Sequence, residues 1–109
     1  MEINKVIEIV HENADKHGFW RDIESIVDPL ENNAMNNAIT TRIMLIVCEL
    51  AEATEGLRKN DAQNFNEELA DVAIRLFDLC GGLGINLEEE ITKKMAINAD
   101  RPYKHGKSF

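Results

Sequence analysis

The sequence has few of the residues that interrupt helices or cross-link a chain. Its only prolines are Pro29 and Pro102, so the long span between them lacks the residue that is least compatible with a helix interior. Its only cysteines are Cys48 and Cys80, and each falls within a helical pattern of apolar residues. We expect both thiols to stay reduced and to act as small buried apolar side chains rather than to form a disulfide.

The sequence also lacks a long apolar segment. The longest purely apolar run, IMLIV at residues 43–47, is far shorter than the roughly 20 residues that a membrane-spanning helix needs. The opening residues, MEINKVIEIVHEN, do not combine a basic stretch with an unbroken apolar segment, as a secretory signal would. We therefore expect a cytoplasmic protein that does not enter a membrane.

Positive charge is scarce as well. The chain has 12 lysines and arginines against 20 aspartates and glutamates, which gives a formal net charge of -8. A surface of this charge repels polyanions, so binding to nucleic-acid polymers is not expected. The length of 109 residues, 44% of them hydrophobic, suits one compact domain with one core. We therefore treat residues 1–109 as a single domain with an irregular tail at about 100–109.

Apolar residues recur three and four positions apart, a pattern typical of helices rather than strands. We predict an all-α protein, with helices at about residues 4–17, 35–59, 64–80 and 87–98. Their short connections are typical of a four-helix bundle. The longer loop between the first two helices is expected to contain one helical turn near Asp28 and Pro29.

Two patterns predict the ends and faces of these helices. Asn64 followed by Glu67, and Asn86 followed by Glu89, have the spacing of a capping box and are predicted to open the third and fourth helices. In the second helix, the apolar residues predicted to form one core-facing stripe are Ile39, Ile43, Ile46, Val47, Leu50 and Leu57.

Two similar tetrapeptides, ELAE at residues 49–52 and ELAD at residues 68–71, place acidic pairs on consecutive predicted helices. In each pair the carboxylates lie three residues apart, on one face of the helix, and border apolar residues. If the two helices pack antiparallel, the pairs can converge, and the crowded negative charge then requires a counter-ion. Carboxylate oxygens favour a hard divalent ion, Mg²⁺ or Mn²⁺, over zinc, and a second ion is plausible.

Two further groups are candidate ligand contacts. Lys94, Asn98 and Arg101 recur at helical spacing in the basic final stretch, where they would either bind phosphate or belong to a solvated tail. Phe19 and Trp20 follow the first helix, close to His17, and such an aromatic pair either stacks on a base or fills the core. We expect Phe19 in the core, and both roles stay open for Trp20.

The segments ELAEA, EELADV and KMAINADRPYKHG together resemble the MazG-like all-α nucleoside triphosphate pyrophosphohydrolases, and the resemblance covers most of the chain. It implies that a metal site around the triphosphate is formed by Glu49, Glu52, Glu68 and Asp71. The implied metal is Mg²⁺, with Mn²⁺ as a possible substitute. The residues that the resemblance places near the phosphates, the sugar or the rest of the nucleotide are Lys94, Asn98, Arg101, His17 and Trp20.

The reaction implied by this resemblance is hydrolysis of a nucleoside triphosphate between its α and β phosphates, giving a monophosphate and pyrophosphate. Because such relatives assemble as dimers or tetramers, the resemblance also implies a homodimer or homotetramer that completes the bundle. The chain has a single copy of the module, so it looks like a minimal member. The preferred base and sugar are not indicated.

Two other functions are compatible with the residues alone. A di-iron carboxylate bundle typically needs two Glu-x-x-His motifs, and this chain has one, formed by Glu8 and His11. A non-catalytic helical interaction module would bury an apolar face of the first helix against a partner and use the acidic pairs for solubility. Such a module would show no dependence of its stability on divalent metal.

Overall fold

The structure, a computed structural model, describes residues 2–28 and 33–109. Within these residues the chain forms helices and no strand, which confirms the predicted all-α fold. The helices are α1 (Ile3–Lys16), α2 (Arg21–Glu24), α3 (Ala34–Arg58), α4 (Ala62–Leu83) and α5 (Leu87–Ala99), followed by a tight turn at Tyr103–Gly106. The helical turn predicted at Pro29 lies outside the described residues. No helix in the described ranges is both long enough and apolar enough to span a membrane.

The long helices α3 and α4 form an antiparallel hairpin that is the main packing unit of the fold. The start of α4 differs from the prediction, because Asp61 rather than Asn64 is the capping residue. The carboxylate of Asp61 accepts a hydrogen bond from the Asn64 backbone N–H at 3.0 Å, which leaves Asn64 inside the first turn of the helix. A carboxylate at this position also interacts favourably with the positive end of the helix dipole.

The other end of α4 agrees with the prediction that it stops in the GGLG segment. Gly84 adopts a left-handed conformation, with φ of 68°, and the following Ile85 N–H donates to the Cys80 carbonyl at 2.9 Å. Asn86 then caps α5 as predicted, since its side-chain oxygen accepts a hydrogen bond from the Glu89 N–H at 3.1 Å. The short connection therefore sets where α5 begins.

The core of the described chain is small and lies where α1 and α3 meet α4. The buried apolar side chains are Ile7, Trp20, Ala53, Leu79 and Cys80. Both cysteines are free, as expected, but only Cys80 is buried; Cys48 is exposed, contrary to the prediction. The close fit of α1 on α4 depends on Gly81, where a Cβ would lie 2.6 Å from the Cβ of His11.

The predicted core stripe of α3 is wrong for most of its length. Ile43, Val47, Leu50 and Leu57 are exposed by 46–58% of their surface. They lie roughly 40–120° around the helix, all to one side of the buried Ala53 that meets α4. The three-and-four spacing therefore marks an apolar face that this chain does not cover by itself.

Candidate metal site and the adjacent cavity

Three of the four predicted metal ligands meet between α3 and α4. Glu49 comes from α3, and Glu68 and Asp71 come from α4, with one carboxylate oxygen of each lying within 4.8 Å of the others. The hairpin brings them together because Glu49 lies on the same face of α3 as the buried Ala53, which meets α4. The carboxylate cluster of Glu49, Glu68 and Asp71 is therefore built from positions that the sequence placed at the border of the core.

Glu52, the fourth predicted ligand, does not join the cluster within the described residues. It borders a separate cavity of about 700 Å³ near the end of α3, together with Glu55 and Lys59. Its charge nevertheless acts on the cluster, because it contributes to the raised pKa of Glu68. Glu52 therefore lies beside the site and adds negative charge to it.

The carboxylates of the cluster shift one another's pKa values. A hydrogen bond with Glu49, followed by burial and by the charges of Glu52, Glu49 and Asp71, raises the pKa of Glu68 to about 7. The pKa of Glu49 is lowered instead, chiefly by its hydrogen bond with Arg75 and despite the opposing effect of burial. Near neutral pH, Glu68 is therefore partly protonated, and a bound cation would replace this proton.

The donor set fits a hard divalent cation. At a metal–oxygen distance of about 2.1 Å, opposite ligands of an octahedral ion lie about 4.2 Å apart, which is close to the spread of the cluster oxygens. All three donors are carboxylates, and the cluster contains neither a histidine nor a cysteine. The cluster is therefore a candidate site for Mg²⁺ or a similar ion.

Arg75 lies one turn after Asp71, a spacing that predicts an ion pair within the helix. In the structure its Nε atom donates instead to Glu49 Oε1 across the hairpin at 2.8 Å, so Arg75 belongs to the site. This contact fixes the orientation of the Glu49 carboxylate and explains its lowered pKa. The signal available in the sequence was that Arg75 lies on the same face of α4 as Asp71.

Trp20 is buried rather than open to a ligand, with 5% of its surface exposed. Its indole Nε1–H donates to Asp78 Oδ1 at 2.8 Å, and the same oxygen lies 2.9 Å from His11 Nδ1. Asp78, which lies on the same face of α4 as Asp71, is therefore engaged in anchoring the segment after α1. The predicted role of Trp20 in substrate binding stays a prediction.

Arg42 completes this anchor and was not singled out by the sequence. Its guanidinium lies 4.2 Å from the centre of the Trp20 ring and donates to both carboxylate oxygens of Asp22, at 2.6 and 3.0 Å. It also donates to the backbone carbonyls of Phe19 and Ala38, at 2.8 and 2.9 Å. A single side chain on α3 thus fixes the path of residues 19–22.

A cavity of about 780 Å³ opens between α1, residues 18–22, α3 and α4, with Glu49 and Asp71 in its wall. Its apolar lining includes Val10, Phe19, Leu45 and Ile74. Phe19 is exposed by 61%, so the prediction that it fills the core is wrong. The volume exceeds what a nucleoside needs, and the mostly apolar wall with a few polar groups is typical of ligand sites.

The predicted phosphate-binding residues lie apart from the cluster in this chain. Lys94 and Asn98 are exposed on α5, and Arg101 follows that helix with its side chain 3.2 Å from His105. His17 is exposed at the end of α1, where Nδ1 contacts the Asn13 carbonyl at 2.7 Å. Among the described residues, none of these four forms a hydrogen bond or ion pair with the carboxylate cluster, and their substrate contacts stay predictions.

The chain was also compared with known proteins. Residues 44–109, more than half of the chain, match the MazG-like family, and this part contains the whole carboxylate cluster. Comparisons with curated proteins and with solved structures gave no match. The extent of the family match decides the assignment, and the chain therefore belongs to the MazG-like family.

Proposed function

We propose that the protein is a metal-dependent nucleoside triphosphate pyrophosphohydrolase. The observation that carries the proposal is the convergence of Glu49, Glu68 and Asp71 beside a cavity large enough for a nucleoside in a MazG-like chain. Water would be added across the bond between the α and β phosphates, which releases a nucleoside monophosphate and pyrophosphate. The substrate would lie with its phosphates at the carboxylates and its nucleoside in the cavity.

The proposed metal is Mg²⁺, with Mn²⁺ as a substitute, because the donors are carboxylate oxygens. Bound metal would supply positive charge to the phosphate oxygens and lower the pKa of a bound water molecule. The chain's own part is to hold the ligands in place: Arg75 orients Glu49, and Glu68 gives up its proton when it becomes a ligand. Glu52 lies close enough to add charge, and we propose it as the fourth acidic residue of the site.

We further propose that Lys94, Asn98 and Arg101 bind phosphate or sugar and that the enzyme is a homodimer or homotetramer. The start of α5 is attached to α1, because Glu88 accepts a hydrogen bond from the Ile3 N–H at 2.9 Å. The basic end of α5 is exposed. The exposed apolar face of α3 supports assembly, since it would be covered by a second copy. Both free cysteines are consistent with the cytoplasm as the proposed location.

The test is product analysis with purified protein and a panel of ribo- and deoxyribonucleoside triphosphates, with and without Mg²⁺. Monophosphate plus pyrophosphate that forms only with metal is expected, and diphosphate plus phosphate would contradict the proposal. Asp71→Asn should abolish turnover while the circular dichroism spectrum stays helical. The matched control is Asp15→Asn on α1, outside the carboxylate cluster. No product with any nucleotide would favour a non-catalytic interaction module.

A further inference from the structure

Phe19 and Trp20 are neighbours in the chain but lie in opposite environments. Trp20 is enclosed between Arg42 and α4, where a Cβ on Gly82 would lie 2.0 Å from its ring. Phe19 is exposed by 61% and borders the cavity that contains Glu49 and Asp71. Of the two aromatic rings, Phe19 is the one that a ligand in this cavity would meet.

The exposed position of Phe19 is maintained by several contacts of its backbone. Gly18, with φ of 87°, turns the chain at the end of α1, and the Phe19 N–H donates to the Ala14 carbonyl at 3.2 Å. The Phe19 carbonyl accepts a hydrogen bond from Arg42 at 2.8 Å, while Arg42 also holds Asp22. Because Trp20 is buried, Phe19 cannot turn inward without breaking this anchor.

The surroundings of Phe19 suit a flat, partly polar ring. Ile9, Val10, Leu45 and Ile74 give the cavity apolar walls, and Asn13 offers an amide at the wall. Among the described residues, the Asn13 side chain makes no hydrogen bond, so its donor and acceptor are available to a base edge. A base between these groups would have its triphosphate directed at Glu49 and Asp71 in the same cavity.

We propose that Phe19 stacks on the nucleobase of the substrate and is the aromatic residue that determines nucleotide affinity in this site. The inference rests on the proposed function for the position of the phosphates. It differs from the sequence-based prediction, which named Trp20. Stacking tolerates every base, because every base has a π-face, so the contribution of Phe19 should be general rather than specific for one base.

The experiment compares Phe19→Ala, Phe19→Tyr and wild type. Binding of α,β-methylene or imido nucleoside triphosphates, which resist cleavage, is measured by calorimetry with Mg²⁺. Inorganic tripolyphosphate, which has no base, is the second probe. Phe19→Ala should weaken analogue binding about 5- to 150-fold, as loss of one stacked base predicts, and leave tripolyphosphate binding unchanged. Phe19→Tyr should bind the analogues within a few-fold of wild type.

Val27→Ala is the control, because Val27 is 99% exposed and does not border the cavity. Equal analogue binding by Phe19→Ala and wild type would overturn the proposal, as would a parallel loss of tripolyphosphate binding. A change in sedimentation of Phe19→Ala would overturn it too, since it would show that a second copy covers the ring. If the wild type binds no analogue at all, the proposed function fails together with this inference; binding that ignores Phe19 refutes this inference alone.

Discussion

At the residue scale, the raised pKa of Glu68 links the site to the stability of the protein. The pKa of Glu68 is about 7 in the folded chain and has its ordinary value of 4.5 when unfolded. Because the pKa is raised, the folded state binds the proton more tightly than the unfolded state does. The stability that this adds is present in full below pH 4.5 and is lost as the pH rises through 7. Above pH 7 the metal-free cluster therefore opposes folding.

Glu68→Gln imitates the protonated side chain and should therefore raise the melting temperature of the metal-free protein at pH 8. The gain should shrink as the pH falls toward 4.5, because the wild-type side chain is then neutral as well. Thermal unfolding in EDTA across this range measures it, with Glu8→Gln on α1 as the control. A lower melting temperature for Glu68→Gln at pH 8 would contradict the crowding of charge in the cluster.

Metal binding should offset the destabilisation that the crowded carboxylates of the cluster cause above pH 7. A ligand that binds only the folded state stabilises it by about 2.7 kcal/mol at a concentration of 100 times its dissociation constant. Excess MgCl₂ should therefore raise the melting temperature of the wild type, and by less at pH 6 than at pH 8, because Glu68 must first lose its proton.

Asp71→Asn should lose most of the stabilisation by Mg²⁺, and Glu90→Gln on α5 should retain it. The measurement is a series of melting curves at increasing MgCl₂, with NaCl added to a matched ionic strength. Equal stabilisation of wild type and Asp71→Asn would mean that the ions act on the general acidic surface rather than at the cluster.

At the element scale, α4 carries a glycine whose missing side chain makes room for Trp20. A Cβ at Gly82 would lie 2.0 Å from the ring, which no small adjustment relieves. Helix propensity alone favours alanine over glycine by about 1 kcal/mol, so it would make Gly82→Ala stabilising. The clash with Trp20 would make the same change destabilising, so the sign of the change in unfolding free energy shows which of the two dominates. Gly82→Ala should destabilise the protein by about 1–3 kcal/mol, as overpacking does.

Denaturant unfolding followed by far-ultraviolet circular dichroism measures this cost, because this signal remains when Trp20, the single tryptophan, is replaced. The double variant Trp20→Leu, Gly82→Ala provides the control through a double-mutant cycle. If the clash with the indole is the cause, Gly82→Ala should cost nothing in the Trp20→Leu background. A cost that persists there would place its origin elsewhere on α4.

The helices themselves could be predicted from the sequence, because spacing and caps are local properties. Asn86 caps α5 as predicted, whereas Asn64 does not cap α4 since Asp61 takes that role one turn earlier. Which face of a helix meets its neighbour is not local: α3 has apolar residues around much of its surface, and spacing alone selected Ile43 and Val47 for a core that they do not reach.

The same distinction between local and non-local properties applies to the candidate site. Glu49, Glu68 and Asp71 could be predicted because helical spacing and antiparallel packing suffice to bring them together. The roles of Arg42 and Arg75 could not, since both depend on contacts between elements far apart in the chain. The exposed position of Phe19 could not be predicted either, because the turn at Gly18 decides which of the two neighbouring rings points inward.

At the scale of the whole molecule, a group of exposed apolar residues on α3 and α4 is not covered by the rest of the chain. The stripe of α3 contains Ile43, Val47, Leu50 and Leu57, and α4 contributes Leu69 and Leu76, which are exposed by 43% and 38%. Helical periodicity places both sets on the same side of the antiparallel hairpin. A face of this kind is typical of an interface between subunits rather than of a solvated surface.

The proposed oligomer therefore predicts that one charge in this face separates the subunits. Wild-type protein should sediment as a dimer or tetramer at micromolar concentration, and Val47→Asp should sediment as a smaller species, because a carboxylate buried in an apolar interface costs several kcal/mol unless it is paired. Val27→Asp, at an exposed position outside the hairpin, should keep the wild-type state. If the wild type is monomeric, the apolar face must be covered by a different partner. If Val47→Asp dissociates and also loses turnover although its carboxylate cluster is intact, a second copy completes the active site.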